Sequence, residues 1–393
     1  MKILMVSSFL PYPITSGGHI RLYNTIIRLS KHHEITLVAE MRTNQTDADI
    51  AELKKYCKAV YTFQRKKQWT IQNICKAFFS LDSFLVVGHT LPEMKSKIAD
   101  LLSHEDFDII DVETFYVMQN LPTTTLPIVL MEHNIEYQAY EKFTVQKVPS
   151  FLRPLFLWDV WKMQRAEEAC WKSVTKLVSL SPVEAGEMGR KDVIIAPNGV
   201  DTKVFTFVDP KKKFTVREKK ILFIGTFQWI QNVTSCRYIL QKIWPALYAK
   251  CKAEGVDISM WVVGRSIPES IKALGSEGVI FDENADEASV VFASSHVLLF
   301  PVSIAVGTSL KLFEAMASGL PVVTSPLGIR GTELSNGENV LLAQSEDEFI
   351  DGVYRLLTDE KLYTFIAKNA REYVEKNFSW DEIIKHLEKE AFS

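Results

Sequence analysis

The segment 300–325 contains a glycine turn whose residue types and spacing could bind an anion. A continuous apolar run at 297–300 predicts a buried strand, and Gly307-Thr308-Ser309 then opens a helix with Thr308 or Ser309 as its N-cap. The first amides of a helix have no partner within the helix, and the helix dipole favours negative charge beside them. Gly307 lets a ligand approach the backbone closely. The pattern therefore predicts an anion site at the start of this helix.

Two charged side chains follow on the same predicted helix. Lys311 lies about one turn in and adds a full positive charge, whereas Glu314 is three residues further on. A glutamate would repel a phosphate, but it suits a sugar hydroxyl. We therefore predict a nucleotide with its diphosphate at the helix start and its ribose near Glu314. The alternative is an ordinary βαβ turn with a surface lysine and glutamate.

A second glycine turn lies near the N-terminus. A predicted strand at 2–7 is followed by a loop at 9–19, which contains Gly17-Gly18, and by a helix from about Ile20 to Leu29. Strand, glycine-rich loop and helix again describe a cradle for a phosphate or a sugar. The loop does not match GxGxxG, so the pattern argues against a dinucleotide-dependent redox enzyme.

Strands and helices alternate through the first half of the chain. Further strands are predicted at 35–39, 59–63, 108–112 and 128–131, with helices at 47–57 and 92–103. Such alternation predicts a parallel sheet with helices on both faces and with its ligands at the carboxyl ends of the strands. Glu113 and Glu132-His133-Asn134 occupy those ends. His133 is therefore a candidate for a group held in a cleft, and the alternative is a loop residue or helix cap.

A Pro-Asn-Gly turn marks the best domain boundary. It lies at Pro197–Asp201, after a long predicted helix at 155–174 and strands at 176–180 and 193–196. A second α/β pattern follows, with strands at 221–224, 258–263, 279–282, 297–300, 322–324 and 340–342. We predict one domain at 1–200, a second at 201–376, and a separate final helix at about 377–393.

Composition limits the classes of function. The 393 residues favour two domains, and the formal net charge of −3 gives no support for nucleic-acid binding. Five scattered cysteines without a CxxC pair predict reduced thiols and a cytoplasmic setting. No signal peptide and no run of about 18 apolar residues is expected. The Asp106-Phe-Asp108 pair resembles a metal-sugar DxD motif, but it leads into a strand of the first domain, so we interpret it as strand-edge solvation.

Two stretches combine aromatic and basic residues as interfacial helices do. They are Arg65–Phe79 and Phe151–Trp161. One interpretation is contact with the inner face of a membrane. The other is that these aromatic side chains pack against the N-terminal sheet.

These segments together resemble the retaining glycosyltransferases of family 4, which have the GT-B fold. The matching pieces extend over most of the chain: Gly17-Gly18, His133, Pro197–Asp201, Phe223-Ile224-Gly225 with Trp229 and Asn232, and Gly307–Thr324. The resemblance implies two Rossmann-like domains that face each other across a cleft, with the last helix crossing back to the first domain. It also implies transfer of a sugar, with retention of configuration and without a metal or other cofactor.

The resemblance further implies a nucleoside diphosphate sugar as the donor and a carbohydrate or glycolipid acceptor, as in surface polysaccharide synthesis. The donor would bind mainly to the second domain and the acceptor to the first. Glu314 would hold the ribose, and Lys311 with the amides of Thr308 and Ser309 would hold the diphosphate. Gly17 and Gly18 would approach the phosphate and the transferred sugar from the opposite wall, and His133 would lie near the donor sugar. Gly225 belongs to the same donor site.

Three departures from the family pattern matter. Val306 stands where the first glutamate of the Glu-x7-Glu motif is expected. The loop 225–232 lacks the Arg and Lys that clamp the diphosphate in many members, so Lys311 would carry more of the charge, helped by Arg265. These losses are compatible with a non-catalytic protein that binds nucleotide sugars. A sugar-nucleotide epimerase on the same fold is a further alternative.

Overall fold

The chain forms two compact units, and the computed structural model describes residues 1–65, 67–285, 287–303 and 310–393. Unit 1 comprises Met1–Pro197 and Ile383–Ser393, and unit 2 comprises Asn198–Glu382. The change of unit at 197/198 lies three residues before the boundary expected from the sequence, within the same Pro-Asn-Gly turn. The final segment joins unit 1 from Ile383 onward, whereas the sequence analysis separated it from about residue 377.

A seven-stranded parallel sheet forms the centre of unit 1, with strand order β3-β2-β1-β4-β5-β6-β7. Its strands are β1 (Lys2–Ser7), β2 (Glu34–Met41), β3 (Ala59–Gln64), β4 (Ile109–Glu113), β5 (Ile128–Glu132), β6 (Lys176–Ser179) and β7 (Ile194–Ile195). Five of the six residues of β1 and all of β4 are buried, as expected where helices cover both faces of a parallel sheet.

Helices cover this sheet, and most of them follow the predicted alternation. They are α1 (Gly17–Leu29), α2 (Asp47–Leu53), α3 (Ile71–Phe79), α4 (Phe84–Gly88), α5 (Pro92–His104), α6 (Glu136–Lys147), α7 (Arg153–Ser173) and α8 (Pro182–Glu187). One core cluster joins Leu4 and Val6 of β1 to Ile98 of α5 and Met163 of α7. Burial of such side chains is the main force that holds helices on the sheet.

Unit 2 repeats the architecture with a six-stranded parallel sheet of order β10-β9-β8-β11-β12-β13. Its strands are β8 (Lys219–Ile224), β9 (Ile258–Val263), β10 (Val279–Asp282), β11 (Val297–Phe300), β12 (Val322–Thr324) and β13 (Leu341–Leu342). Side chains alternate across the sheet. Ile221 and Phe223 of β8 therefore enter one core cluster, while Leu222 enters the cluster on the opposite face.

The helices of unit 2 complete both faces. They are α9 (Pro210–Phe214), α10 (Ile230–Tyr238), α11 (Trp244–Ala253), α12 (Glu269–Lys272), α13 (Ala288–Ser294), α14 (Leu310–Ala317), α15 (Glu346–Thr358), α16 (Glu360–Asn377) and α17 (Trp380–Ala391). From Ile383 onward α17 belongs to unit 1, where Glu388 accepts a hydrogen bond from His33 at 2.9 Å. Within the described ranges, no helix is long and apolar enough to cross a bilayer.

The starts of two helices differ from the sequence prediction by three residues. Helix α1 begins at Gly17 rather than near Ile20, because Ser16 acts as its N-cap and accepts a hydrogen bond from the His19 amide. The predicted helix at 233–250 begins at Ile230 and passes through a π-helical turn at Ile239–Ile243. Pro245 follows that turn and cannot donate to a carbonyl one turn earlier, which explains the local widening.

Strand order identifies where each unit can bind a ligand. In unit 1 the chain moves outward from β1 to β2 and β3, and it then resumes on the other side with β4. In unit 2 it does the same from β8 to β9 and β10, and it resumes with β11. Crevices outside the carboxyl ends of strands at such reversals are the preferred ligand sites of open parallel sheets.

Candidate functional site

The reversal point of unit 1 carries a histidine–carboxylate pair. Glu113 is the last residue of β4, and His133 directly follows β5. The imidazole Nε2 of His133 lies 2.7 Å from Oε2 of Glu113, so the ring N–H donates to a fully buried carboxylate. This hydrogen bond orients the imidazole and defines which of its nitrogens carries the proton. The structure thus places His133 in a fixed orientation at the carboxyl edge of the sheet.

The start of α1 packs directly against this histidine. A Cβ on Gly18 would lie 3.3 Å from Nδ1 of His133, closer than ordinary van der Waals contact, and 3.5 Å from the ring of Phe9. The ring centroids of Phe9 and His133 are 6.0 Å apart in an edge-on arrangement. Gly17 and Gly18 belong to the first helical turn, so the predicted glycine loop is wrong in that detail. The structure nevertheless brings Gly18 and His133 into contact.

Buried charges lie beside the histidine–carboxylate pair. Arg21, Asp111 and Glu113 are fully buried. Burial lowers the pKa of Arg21 to about 10, against the opposing influence of the charges on Glu113 and Asp111. Burial, followed by repulsion from Glu113, raises the pKa of Asp111 well above its usual range. Across the described residues, both Asp111 carboxylate oxygens and Oε1 of Glu113 have no hydrogen-bond partner. Unsatisfied buried carboxylates are costly, and functional sites are where such costs concentrate.

The residue after Glu113 has a strained backbone. Thr114 has φ of 72° and ψ of 143°, which is unfavourable for a β-branched residue. Its hydroxyl shares a 2.9 Å hydrogen bond with the Ser8 hydroxyl at the end of β1. This contact joins the residues that directly follow β1 and β4. Strain of this kind is typical of functional sites and persists only where surrounding contacts maintain it.

The reversal point of unit 2 carries the predicted lysine. Lys311 extends from α14 to the end of β8, where Nζ donates to the Ile224 carbonyl at 2.7 Å and to Oδ1 of Asn232 at 3.0 Å. The ammonium group also lies 4.9 Å from the ring centroid of Phe300, a cation–π distance. Lys311 is therefore held at the carboxyl ends of β8 and β11, where the strand order predicts a ligand.

Gly225 leaves the space that this lysine occupies. A Cβ at that position would lie 2.9 Å from Nζ of Lys311 and 2.8 Å from the amide group of Asn232. The turn at Gly264 packs against the Gly225 backbone. A Cβ on Gly264, whose φ is +155°, would lie 1.9 Å from the Gly225 carbonyl oxygen. Gly225 is thus required by the packing around Lys311, and Gly264 by its close approach to the Gly225 backbone.

Arg265 lies beside this turn but differs from the prediction in its exposure. Its carbonyl accepts a hydrogen bond from the Phe227 amide at 3.1 Å, whereas its side chain is exposed. The described contacts bring Lys311, Gly225 and Asn232 together, and they do not include the Arg265 guanidinium. Assistance from Arg265 to Lys311 remains a prediction.

Burial changes the ionisation of the two charged residues on α14. It lowers the pKa of Lys311 to about 8, and the charge of Glu314 opposes this shift. It raises the pKa of Glu314 to about 7, and the charge of Lys311 opposes that shift. Both side chains are half-buried. A dianionic ligand beside Lys311 would favour its charged form.

Part of the predicted anion site lies outside the described residues. Gly307, Thr308 and Ser309 lie outside the described residues, as does Val306, and α14 is described from Leu310. The proposed contacts of their amides with a diphosphate therefore remain predictions. Asp108 is described, and its carboxylate accepts a hydrogen bond from the Lys2 amide at 2.6 Å, at the amino ends of β1 and β4. The Asp106–Asp108 pair thus leads into the edge of the sheet opposite His133.

Sequence reasoning missed several members of these clusters. Asn232 was matched to the family pattern, but its hydrogen bond with Lys311 was not predicted. Glu113 was predicted at a strand end, but its hydrogen bond with His133 was not. Arg21 and Asp111 were not considered. A signal was available, because Asp111 and Glu113 interrupt an apolar strand and Arg21 lies between apolar residues on α1. Charges within buried segments indicate either mutual pairing or a functional site.

Comparisons with known proteins agree with this architecture. Residues 218–359 match the family model described as glycosyl transferases group 1. A Klebsiella pneumoniae protein, named as an uncharacterized 44.6 kDa protein in cps region, is 23% identical over 407 residues and is aligned over 99% of each chain.

Solved structures show the same two-domain fold. Sucrose-phosphate synthase from Thermosynechococcus elongatus has a TM-score of 0.67 at 18% identity, with 99% of this chain and 98% of that chain aligned. Anabaena HepE in complex with UDP-glucose has a TM-score of 0.60 at 14% identity, with 99% and 98% aligned. The prediction of an α/β chain with two Rossmann-like parallel-sheet domains is therefore confirmed. The match to group 1 glycosyl transferases extends over 218–359, and the likeness to the solved structures shows the fold over the whole chain.

Proposed function

We propose that the chain transfers a sugar from a nucleoside diphosphate sugar to a carbohydrate or glycolipid acceptor, with retention of configuration and without a metal cofactor. The observation that carries the proposal is the position of Lys311. Its ammonium group has three donors, and the described residues take two of them, the Ile224 carbonyl and Asn232. The lysine is thus oriented before a ligand binds.

An oriented cation at this position suits glycosyl transfer. As the bond between the sugar and the diphosphate breaks, negative charge grows on the phosphate oxygens. A cation already aimed at that charge needs little reorganisation, and loss of one such donor typically costs about 3 kcal/mol of barrier. Lys311 would stabilise the leaving diphosphate, and Glu314 would accept hydrogen bonds from the ribose hydroxyls.

Retention would proceed by attack on the same face of the sugar from which the diphosphate leaves. The leaving phosphate would then assist removal of the acceptor proton. His133 is proposed to contact the donor sugar, and its hydrogen bond to Glu113 would keep the imidazole in one orientation. Gly17 and Gly18 are proposed to let phosphate or sugar approach the start of α1 closely.

The nature of the donor and acceptor rests on the relatives. Anabaena HepE was solved with UDP-glucose, so UDP sugars are the first donors to test. The Klebsiella pneumoniae relative is named for its cps region, which supports a polysaccharide pathway for this chain. The five scattered cysteines without a CxxC pair support the proposed cytoplasmic location.

Calorimetry with nucleoside diphosphates tests the donor site. We expect UDP, GDP, ADP or TDP to bind the wild-type chain and Lys311→Ala to weaken the preferred one by roughly tenfold to a hundredfold, as for lost charge-assisted hydrogen bonds. Lys368→Ala is the matched control, because Lys368 is an exposed lysine of α16. Equal affinity of wild type and Lys311→Ala would remove the site assignment.

A transfer assay separates the proposed function from its alternatives. A radiolabelled donor sugar should move to an acceptor in a glycolipid or polysaccharide extract, and NMR of the product should show the donor's anomeric configuration. Val306, where the family motif has a glutamate, favours the alternative of a protein that binds nucleotide sugars without catalysis. Nucleotide binding without transfer or donor hydrolysis would support that alternative. Release of a new nucleotide sugar without an acceptor would indicate an epimerase.

A further inference from the structure

Exposed apolar side chains are concentrated on one part of unit 1. Among the described residues, 26 large hydrophobic side chains are exposed, and six of them lie in 69–81 and eight in 143–161. The most exposed are Phe79 at 84%, Ile71 at 81% and Phe151 at 80%. Monomeric soluble proteins rarely expose so many apolar side chains in one region without a binding function. We call the exposed apolar side chains of these two segments the apolar face.

The fold brings the two segments of this face together. The rings of Phe78 in α3 and Trp158 in α7 have centroids 6.2 Å apart. Trp69, Ile74 and Leu155 also line an apolar cavity of about 150 Å³ between the segments. Of the two interpretations of the aromatic and basic stretches, packing against the N-terminal sheet therefore fails for most of these side chains. In α3 only Ala77 is buried.

A polar network beneath the face holds the helices in place. The Asp159 carboxylate accepts hydrogen bonds from the Phe84 amide at 3.0 Å and from the Tyr140 hydroxyl at 3.2 Å. Lys162 pairs with Asp159 at 3.0 Å and donates to the Ala77 carbonyl at 2.6 Å. These buried contacts join α3, α4, α6 and α7. The helices that carry the exposed apolar side chains are therefore held in place by buried polar contacts. Loose packing of these helices does not explain the exposure.

Basic side chains predominate around the apolar face. The described residues of 65–81 and 142–161 include four lysines and two arginines, in a chain whose net charge is −3. Their one acidic residue, Asp159, is buried and paired with Lys162. Lysine is depleted at protein–protein interfaces, whereas aromatic and apolar side chains ringed by lysines are typical of helices that lie on anionic membranes. Trp69, Trp158 and Trp161 have rings suited to the boundary between water and lipid.

We propose that the apolar face of unit 1 binds the surface of a lipid bilayer that contains anionic lipids. Phe79 and Phe151 would enter the boundary between headgroups and acyl chains, and lysines such as Lys76 and Lys147 would contact the anionic headgroups. This surface is formed by unit 1 alone. The proposal goes beyond the transfer reaction and does not depend on it.

Flotation of the full-length chain with vesicles tests the proposal. We expect binding to vesicles of phosphatidylcholine mixed with phosphatidylglycerol, and much weaker binding to phosphatidylcholine alone. Removal of two positive charges in Lys76→Gln/Lys147→Gln should lower the partition coefficient roughly 25-fold, at about fivefold per charge. Lys361→Gln/Lys368→Gln, which changes two exposed lysines of α16, should leave it unchanged. Failure to bind the mixed vesicles, or equal loss in both double variants, would overturn the proposal.

The apolar contribution needs its own variants. Phe79→Ser/Phe151→Ser should lower partitioning by at least about tenfold, because each ring would otherwise be buried in lipid. Phe365→Ser is the control, since Phe365 of α16 is 51% exposed in unit 2. Unchanged binding of the double phenylalanine variant would overturn the proposal. Sedimentation tests whether the face is instead an interface between two copies of the chain. A dimer of the wild type that the double variant loses, with no vesicle binding by either protein, would also overturn the proposal.

A measurement on the unaltered side chains avoids dependence on variant folding. Brominated phosphatidylcholine, mixed with phosphatidylglycerol, should quench tryptophan fluorescence of the wild-type chain. Trp69→Phe should reduce that quenching, because Trp69 is 71% exposed on the apolar face, whereas Trp229→Phe should not. Absence of quenching in the wild-type chain would contradict the proposal even if every variant misfolded.

Discussion

The ionisation of Glu314 makes a prediction that links stability to the donor site. Its pKa is raised from 4.5 to about 7, with burial as the main cause and the Lys311 charge in opposition. Between about pH 4.5 and 7, the Glu314 carboxyl is therefore protonated in the folded state and ionised in the unfolded state. Stability is lost as pH rises from about 4.5 through about 7, because the unfolded state binds fewer protons over that range. We expect Glu314→Gln to remove this loss.

The size of the effect follows from the two pKa values. One pKa unit corresponds to about 1.4 kcal/mol, so the ionised carboxylate costs at most about 3 kcal/mol well above pH 7. Glutamine also lacks the attraction of the glutamate to Lys311, and the Glu314 side chain is only half-buried. We therefore expect a gain in the free energy of unfolding that is smaller than this limit. Glu314→Gln should stabilise the nucleotide-free chain by about 2 kcal/mol at about pH 8, and by less than about 1 kcal/mol at about pH 5.

Urea unfolding of the nucleotide-free protein at several pH values measures this difference. Glu372→Gln is the matched control, because Glu372 is an exposed carboxylate of α16 and its replacement should change little. If the difference between Glu314→Gln and wild type does not grow with pH, the carboxylate is not costly in the fold. The reasoning from burial would then be refuted.

The nucleotide should reverse the order of stability. A ligand at about a hundredfold excess over its Kd stabilises the folded chain by about 2.7 kcal/mol. Glu314→Gln loses the charged acceptor for the ribose hydroxyls, so the same UDP concentration should stabilise this variant less. A gain in stability that comes with a loss of ligand binding is typical of residues retained for function. Equal stabilisation of both proteins by UDP would show that Glu314 does not contact the nucleotide.

Two further predictions concern the packing of each cluster. Glu113→Gln keeps the shape of the side chain but removes the charge that orients His133. We therefore expect kcat to fall by at least about tenfold, with the donor KM within about twofold. An equal change in both constants would contradict a positioning role towards His133. Gly225→Ala places a Cβ against Lys311 and should weaken nucleotide binding about tenfold without unfolding the chain. Gly186→Ala is its control, because a Cβ there meets open space, and equal nucleotide affinity of both variants would contradict the packing argument.

Strand positions in unit 2 were predictable because their local signals are strong. The ranges of β9, β10, β11 and β12 equal those expected from the sequence. Each is a short apolar run that begins or ends near a glycine, a proline or a charged residue, so periodicity and flanking residues indicate the same bounds. Parallel pairing then follows from the intervening helices.

The start of α1 was less predictable because two signals conflicted. A glycine pair disfavours a helix by propensity, and this led to the prediction of a loop through residue 19. In the fold, Ser16 caps the helix, and the place of a Gly18 side chain is taken by the His133 ring. The contact joins residues more than a hundred positions apart in sequence, so no local pattern could reveal it.

The same limit applies to the side-chain pairs of both clusters. Sequence placed Glu113 and His133 at strand ends, but their 2.7 Å contact depends on β4 and β5 being neighbours in register. Likewise, Lys311 was assigned to an anion, whereas its bonds to Ile224 and Asn232 depend on α14 packing across the end of β8. Helices and strands could be predicted from local sequence patterns, whereas the contacts between their side chains could be seen only in the tertiary structure.

The burial of Lys311 and Glu314 bears on the alternative of an ordinary βαβ turn. That alternative predicts a surface lysine and glutamate, which would be solvated and would keep their usual pKa values. The structure instead has both side chains half-buried, with a pKa of about 8 for the lysine and about 7 for the glutamate. Burying charge has a free-energy cost that a surface turn would avoid. Because Lys311 is also held by a strand carbonyl and an asparagine, the arrangement fits a site whose charges are completed by a ligand better than it fits a structural turn.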